Sequence, residues 1–225
     1  CYVSEPANDM IFAILCEEIG LVGAATAIAF AMNGDNVGIT YNRKPDDAKI
    51  VAEKCRSYGV RAEIFGGDIS KREVVEEMMN DFLEKFGTID VLINNAGGAL
   101  KMPEGGFDKM PLEYWESQIG LNLNAPAYFS HFAMKNMIEN GIKGSIVNIS
   151  SVHSLIPWVR RKTLPYAAAK AGLNMLTKNL GIEAIHYGIH VNGIAPGFFS
   201  TKQNAKLLFN DDGTPTARTG KILAA

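Results

Sequence analysis

The sequence lacks the features that mark several large classes of protein. Its three cysteines, Cys1, Cys16 and Cys55, are scattered, and no spacing among them indicates a zinc site or a disulfide framework. There is no long basic run, and the net charge is −2, which argues against nucleic acid as a partner. The longest apolar run, Gly20 to Met32, is too short to cross a bilayer, and the start does not read as a signal peptide. We therefore expect a cytoplasmic protein with no metal and no membrane or nucleic-acid partner.

The chain does contain an alternation of strand-like and helix-like segments. Its 225 residues, 47% hydrophobic and 20% charged, suit one α/β domain with a substantial core. The pattern predicts strands at Met10–Leu15, Asn36–Tyr41, Arg61–Phe65, Asp90–Asn94, Ser145–Ser150 and His190–Ala195. It predicts helices at Ala24–Asn33, Asp46–Tyr58, Lys71–Phe86, Pro111–Asn140 (bent near Pro126) and Leu164–His186. Such an alternation implies a doubly wound parallel sheet of the Rossmann type, with helices on both faces. The polar stretch 201–225 is predicted to be a loop or lid.

The candidate functional residues fall where the predicted strands end. Parallel sheets of this kind bind ligands at the carboxyl ends of their strands. The residues that follow those ends are Asp68, Asn95-Ala96-Gly97, Ser151 and Pro196-Gly197.

Tyr166 and Lys170 suggest proton-transfer chemistry. If residues 164–180 are helical, the two side chains lie one turn apart on the same face. A cation beside a phenol favours the phenolate and lowers a pKa that is about 10 when unperturbed. Such a phenol can exchange a proton with an alcohol or a ketone near neutral pH. Taken alone, the pair also fits an amphipathic helix with an exposed lysine.

Several further motifs occur with this pair in a fixed order, and together the chain resembles the short-chain dehydrogenase/reductase family. They are Asn94-Asn95-Ala96-Gly97, Asn122 in Gly-Leu-Asn-Leu-Asn, Ile149-Ser150-Ser151, Tyr166-x-x-x-Lys170, and Val191-Asn192 followed by Pro196-Gly197 and Thr201. The resemblance covers residues 35–201 and implies an NAD(P)-dependent oxidoreductase that interconverts a hydroxyl and a carbonyl.

The resemblance also implies roles for individual residues. Tyr166 is the general acid/base, Lys170 holds the nicotinamide ribose and lowers the Tyr166 pKa, and Ser151 binds the substrate oxygen. Asn122 positions Lys170 through a water molecule. The implied contacts to the dinucleotide come from Gly20, Gly23, Arg43, Asp68, Ile69, Asn95, Ala96, Gly97, Tyr166, Lys170, Pro196, Gly197 and Thr201. Asp68 could equally cap the helix that follows it. His153 is either a substrate contact or an exposed loop histidine.

The substrate class is less closely defined. Residues 150–158 are similar to bacterial glucose 1-dehydrogenases, and residues 196–204 are similar to oxidoreductases of sugar acids such as mannonate or fructuronate. Both similarities imply a sugar, polyol or sugar acid. The alternative enzyme is a 3-oxoacyl thioester reductase, which uses the same constellation. Arg160 and Arg161 suit either an anionic substrate or a plain solvated turn.

The first strand–helix turn departs from the family pattern. Glycines are expected at 17, 21 and 23, but the chain has Glu17, Leu21 and Gly23, with an additional Gly20. Three interpretations are open: a shifted turn that uses Gly20 and Gly23, a misread segment, or weak or absent dinucleotide binding. The last of these would make the chain a non-catalytic protein of the Rossmann fold.

Three further expectations concern the cofactor, the length of the chain and its assembly. The second strand is followed by Asn42-Arg43-Lys44, with no acidic residue before Asp46, which favours NADP or dual use over NAD alone. Family members continue for about forty residues beyond the position of Ala225, so the chain is expected to be truncated and to lack a seventh strand. By resemblance we expect a homo-tetramer, assembled through the long helix and the Tyr166 helix.

Overall fold

The computed structural model describes residues 11–15, 21–99, 106–156, 163–197, 209–210, 212–216 and 219. Its strands are β1 (Ile11–Leu15), β2 (Asn36–Tyr41), β3 (Ala62–Gly66), β4 (Val91–Asn94), β5 (Ser145–Ile149) and β6 (His190–Ile194). Its α-helices are α1 (Leu21–Met32), α2 (Pro45–Arg56), α3 (Arg72–Phe86), α4 (Leu112–Ile119), α5 (Ala125–Glu139) and α6 (Leu164–Ala184).

The strands form one sheet in the order β3-β2-β1-β4-β5-β6, and every pairing is parallel. The central strand β1 lies between β2 and β4. The direction of winding reverses between these two neighbours, which opens a crevice beyond the carboxyl ends of β1 and β4. The predicted doubly wound parallel sheet is confirmed, and its ligand crevice is at this reversal.

Both faces of the sheet are covered by helices. Successive side chains of a strand point to opposite faces. Leu92 and Ile146 pack in a hydrophobic cluster with residues of α3 and α5. Their neighbours along the chain, Ile93 and Val147, pack in a second cluster with residues of α1 and α2. The near-continuous apolar character of these strands follows from burial on both faces.

The predicted long helix is interrupted. Residues Gly120–Asn124 between α4 and α5 form a π-helical turn, in which the N–H of Ala125 bonds to the carbonyl of Gly120. Pro126 follows at once, and since proline has no N–H it cannot donate to the carbonyl of Asn122, as an α-helix would require. The bend predicted near Pro126 is therefore a widened turn that contains Asn122. Such turns occur often at functional sites.

By its internal contacts the chain divides into two compact units, Cys1–Ala195 and Pro196–Ala225. The first unit contains the whole sheet and its helices. In the second unit, Phe209 and Pro215 form an isolated antiparallel bridge. Most of the loop or lid predicted for 201–225 lies outside the described residues.

Candidate active site

Helix α6 carries Tyr166 and Lys170 along the carboxyl end of β5. The Nζ atom of Lys170 lies 5.9 Å from the centre of the Tyr166 ring, so the two side chains face the same space. Lys170 is only 3% exposed, and its Nζ donates a hydrogen bond of 2.7 Å to the carbonyl of Ile149, the last residue of β5. This bond fixes the position of the ammonium between the end of β5 and the Tyr166 ring.

Ser151 begins a short 3₁₀ turn, Val152–Ser154, directly after β5. Its Oγ accepts a hydrogen bond from the backbone N–H of His153 at 3.2 Å and lies 3.1 Å from Nδ1 of the same histidine. The hydroxyl also lies near enough to Tyr166 to lower the pKa of the phenol by hydrogen bonding. The two hydroxyl groups therefore face the same space, and a substrate oxygen placed between them would touch both.

Burial sets the electrostatics of the pair. It raises the pKa of Tyr166, because a phenolate loses hydration there, and the hydrogen bond from Ser151 opposes this only in part. It lowers the pKa of Lys170 from 10.5 to about 8 for the same reason. The sequence led us to expect a lowered Tyr166 pKa. Within the chain itself the pKa is raised instead, because loss of solvent outweighs the hydrogen bond from Ser151.

Asn122 lies at 0% exposure in the π-helical turn, with its amide fixed at both ends. Its Oδ1 accepts from the N–H of Gly98 at 2.9 Å, and its Nδ2 donates to the carbonyl of Gly98 at 3.1 Å. The same Nδ2 donates to the carbonyl of Gln118 at 3.0 Å. Asn122 thus ties the loop after β4 to the helix. No sequence pattern indicated these bonds to Gly98.

Gly97 lies where the loop passes between Asn122 and Lys170. Its φ is +153°, and a Cβ atom there would lie 2.7 Å from Oδ1 of Asn122 and 3.1 Å from Nζ of Lys170. From the sequence we explained the small residue by the approach of an adenosine. The structure supplies a different reason, because a side chain at this position would displace two candidate catalytic groups.

The remaining candidate cofactor contacts are spread along the same edge of the sheet. Asp68 and Ile69 follow β3, Asn95 and Ala96 follow β4, and Arg43 is exposed just after β2. The Oδ1 of Asp68 accepts from the N–H of Ser70 at 3.1 Å and from its hydroxyl at 2.7 Å. Asp68 thus stabilises the turn that precedes α3, but it does not cap this helix. The N-cap residue is Lys71, and no side chain makes a capping bond there, so the capping interpretation is wrong. Several residues of interest lie outside the described residues: Glu17, Glu18, Gly20, Arg160, Arg161 and Thr201.

The start of α1 fits a dinucleotide phosphate as far as it is described. The helix begins at Leu21, three residues before the predicted start, and Gly23 is buried in its first turn. That turn contains no acidic residue. A helix N-terminus carries unpaired N–H groups and a partial positive charge, both of which favour a phosphate. Pro196 and Gly197 belong to the second compact unit.

The described part of the chain shows neither a metal-binding cluster nor a membrane-spanning helix. No group of three or more histidine, cysteine, aspartate or glutamate residues there could hold a metal ion. None of the described helices is long and apolar enough to cross a membrane.

Comparison with known proteins identifies the family. The sequence profile of the short-chain dehydrogenases matches residues 19–211. The chain belongs to the short-chain dehydrogenase/reductase family. It is therefore an oxidoreductase of alcohol and carbonyl groups, and its resemblance to glucose dehydrogenase-like members is confirmed.

Named relatives of this dehydrogenase differ in what they act on. It is 36% identical over 185 residues to glucose 1-dehydrogenase 2 of Bacillus subtilis, covering 81% of this chain and 69% of the relative. Acetoin dehydrogenase YohF of Salmonella typhimurium has a similar structure, with a TM-score of 0.79, 32% identity, and coverage of 87% and 75% of the two chains. A variant of actinorhodin polyketide ketoreductase solved with NADPH gives a TM-score of 0.81 at 26% identity, covering 96% and 82%.

Proposed function

We propose that this short-chain dehydrogenase interconverts a hydroxyl and a carbonyl on a sugar, polyol or sugar acid, with NAD(P) as cofactor. The observation that carries the proposal is the joint position of Ser151, Tyr166 and Lys170. Two neighbouring hydroxyl groups and a buried ammonium surround one point at the carboxyl end of β5. A bound nicotinamide dinucleotide supplies or accepts the hydride in such a reaction.

In this proposal each residue handles the substrate oxygen or the groups around it. Tyr166 gives its phenolic proton to a carbonyl oxygen during reduction and takes a proton from the alcohol during oxidation. Ser151 donates a hydrogen bond to the same oxygen and stabilises the negative charge that develops on it. Lys170 holds the ribose and keeps a positive charge close to Tyr166. Asn122 keeps the loop at Gly98 in register with the helix.

NADP is the preferred cofactor in this proposal, with NAD as a second one. Arg43 is exposed directly after β2, where it can reach a 2′-phosphate, and β2 ends at Tyr41 with no acidic residue to bind a ribose hydroxyl. The related polyketide ketoreductase was solved with NADPH, which agrees with this preference. Gly23, Asp68, Ile69, Asn95 and Ala96 are the described residues proposed to line the rest of the cofactor.

A substrate panel tests the proposal directly. The purified protein would be assayed with NADP and NAD on aldoses, polyols and sugar acids, and with NADPH on acetoin and an acetoacetyl thioester. We expect turnover with a sugar or sugar acid. Rapid NADPH oxidation with the thioester and none with sugars would favour the 3-oxoacyl reductase, an alternative supported by the ketoreductase relative.

The alternative function, from a different class, is that of a non-catalytic protein with this fold that binds no dinucleotide. Glu17 and Leu21, in place of the expected glycines, motivate it. Isothermal calorimetry with NADP and NAD separates the two functions. We expect binding well below millimolar concentration, and the absence of any heat of binding with either cofactor would remove the enzymatic proposal.

We further propose that the protein assembles as a homo-tetramer through α6 and the long helix of α4 and α5. The side chains of Leu164, Met175 and Ile182 on α6 are 44%, 57% and 69% exposed, and their spacing places them on one face of the helix, where they form an exposed apolar stripe. Sedimentation equilibrium measures the assembly state. A monomer at micromolar concentration would contradict the proposal.

A further inference from the structure

The side chain of His153 contacts that of Ser151 but has no role in the mechanism above. Its Nδ1 lies 3.1 Å from the Ser151 Oγ, within hydrogen-bond distance. Its ring stands edge-on to that of Tyr166, with centroids 6.0 Å apart and planes at 71°. The imidazole therefore contacts both hydroxyl-bearing residues of the site.

The Ser151 hydroxyl cannot rotate freely, because its partners use all of its hydrogen-bonding positions. A hydroxyl offers one proton and two lone pairs. One lone pair is occupied by the backbone N–H of His153. One proton and one lone pair remain for two partners, Nδ1 of His153 and the Tyr166 hydroxyl. Whichever of these two donates, the other must accept.

We propose that His153 is a positioning residue that sets the direction of the Ser151 hydroxyl. With a proton on Nδ1, the imidazole donates to Ser151 Oγ and leaves the Ser151 proton for the oxygen at Tyr166. Without that proton, Nδ1 accepts a hydrogen bond from the Ser151 hydroxyl. The hydroxyl then no longer donates to the substrate oxygen. The inference rests on the proposed role of Ser151 and adds a residue that controls it.

The ring can be changed without disturbing the turn that holds Ser151. The N–H of Ser154 donates to the carbonyl of Ser151 at 3.0 Å, and Asn174 on α6 donates to the Ser154 hydroxyl at 2.7 Å. The bond from the His153 N–H to Ser151 Oγ comes from the backbone and persists in any non-proline variant. A substitution at position 153 thus isolates the contribution of Nδ1.

Two variants and a double-mutant cycle test the inference. His153→Phe retains a ring against Tyr166 but has no nitrogen, and His153→Asn retains an N–H close to the position of Nδ1. We expect His153→Phe to lower kcat roughly five- to tenfold, the effect of losing one hydrogen bond, with an unchanged KM for the cofactor. His153→Asn should stay within about threefold of the wild type. In a Ser151→Ala background, His153→Phe should have no further effect.

The control is His186→Asn, at an exposed histidine in the turn after α6, which should leave kcat unchanged. Wild-type kcat in His153→Phe would overturn the inference. A His153→Asn variant with a kcat as low as that of His153→Phe would also overturn it. So would a decrease in kcat from His153→Phe that is as large in the Ser151→Ala background as in the wild type. Failure of the proposed function is distinguishable, because it would appear as unchanged activity in Ser151→Ala alone.

Discussion

The ammonium of Lys170 donates a 2.7 Å hydrogen bond to the carbonyl of Ile149 while it lies 5.9 Å from the Tyr166 ring. A single buried cation thus links the end of β5 to the phenol. Burying a charge destabilises a protein unless contacts offset the loss of hydration. The depressed pKa of Lys170, about 8, shows that this loss is only partly offset.

Lys170 should consequently make stability depend on pH. The folded group releases its proton near pH 8 and the unfolded one near 10.5, so the unfolded chain binds more protons in between. Folding stability therefore rises with pH across this window, by roughly 3 kcal/mol from this group. Urea unfolding at pH 7 and pH 10.5 measures it.

The Lys170→Met variant should lack this rise in stability and should lose turnover. The matched control is Lys178→Met, at an exposed position of the same helix, which should keep the rise. Identical pH dependence in the wild type and in Lys170→Met would mean that the ammonium is not buried as described.

Gly97 should tolerate no side chain, whereas its neighbour should. Gly97→Ala would place a methyl group 2.7 Å from the Asn122 Oδ1 and at a φ of +153°. We expect a loss of about 1–3 kcal/mol in unfolding free energy and a clear fall in kcat. Gly98→Ala is the control, because no atom lies within 4 Å of its Cβ position. Equal melting temperatures and rates for the two variants would contradict the crowding at Gly97.

Arg43 should determine the use of NADP. Arg43→Ala removes a charged donor, and since hydrogen bonds to charged groups contribute about 1.5–3 kcal/mol, KM for NADP should rise about tenfold or more. KM for NAD should change little, because NAD has no 2′-phosphate. Lys49→Ala, at an exposed lysine on α2, controls for the loss of a positive charge. A parallel rise for both cofactors would show that Arg43 does not distinguish them.

The architecture was predictable from the sequence because it depends on burial patterns that repeat along the chain. The sequence predicted a buried strand at Asp90–Asn94 and a strand at Ser145–Ser150, close to the observed Val91–Asn94 and Ser145–Ile149, and parallel order followed from the helices between strands. The convergence of Ser151, Tyr166 and Lys170 followed from the resemblance and from strand ends meeting at one edge. The ends of helices were harder to predict. Gly20 and Gly23 suggested a turn before α1, but α1 already begins at Leu21.

Other features depend on opposing energetic contributions, and the sequence does not show which of them is larger. Lys170 beside Tyr166 suggested a more acidic phenol, and only coordinates show that burial dominates the pKa of Tyr166. Pro126 suggested a bend, but the widened turn that buries Asn122 depends on how the helix packs. The pairing of Nδ1 of His153 with Ser151 arises from a 3₁₀ turn that no sequence pattern indicated.

The pH dependence of turnover should follow the direction of the Tyr166 pKa. Because burial raises it, the phenol stays protonated near neutral pH and can act as the acid for carbonyl reduction. Alcohol oxidation requires the phenolate, so its kcat/KM should increase with pH through the alkaline range. Initial rates in both directions between pH 6 and 10 measure this. An oxidation rate that falls as pH rises from neutrality would contradict the role of Tyr166 as base.

The most direct test of the account replaces the phenolic oxygen alone. We would measure NADPH oxidation and NADP affinity for the wild type, Tyr166→Phe and, as a control, Tyr187→Phe at an exposed tyrosine. The account predicts that Tyr166→Phe loses roughly a hundredfold or more in kcat. Its cofactor affinity should stay nearly unchanged, and Tyr187→Phe should behave as the wild type. Turnover in Tyr166→Phe at the wild-type rate would contradict the central claim that Tyr166 transfers the proton.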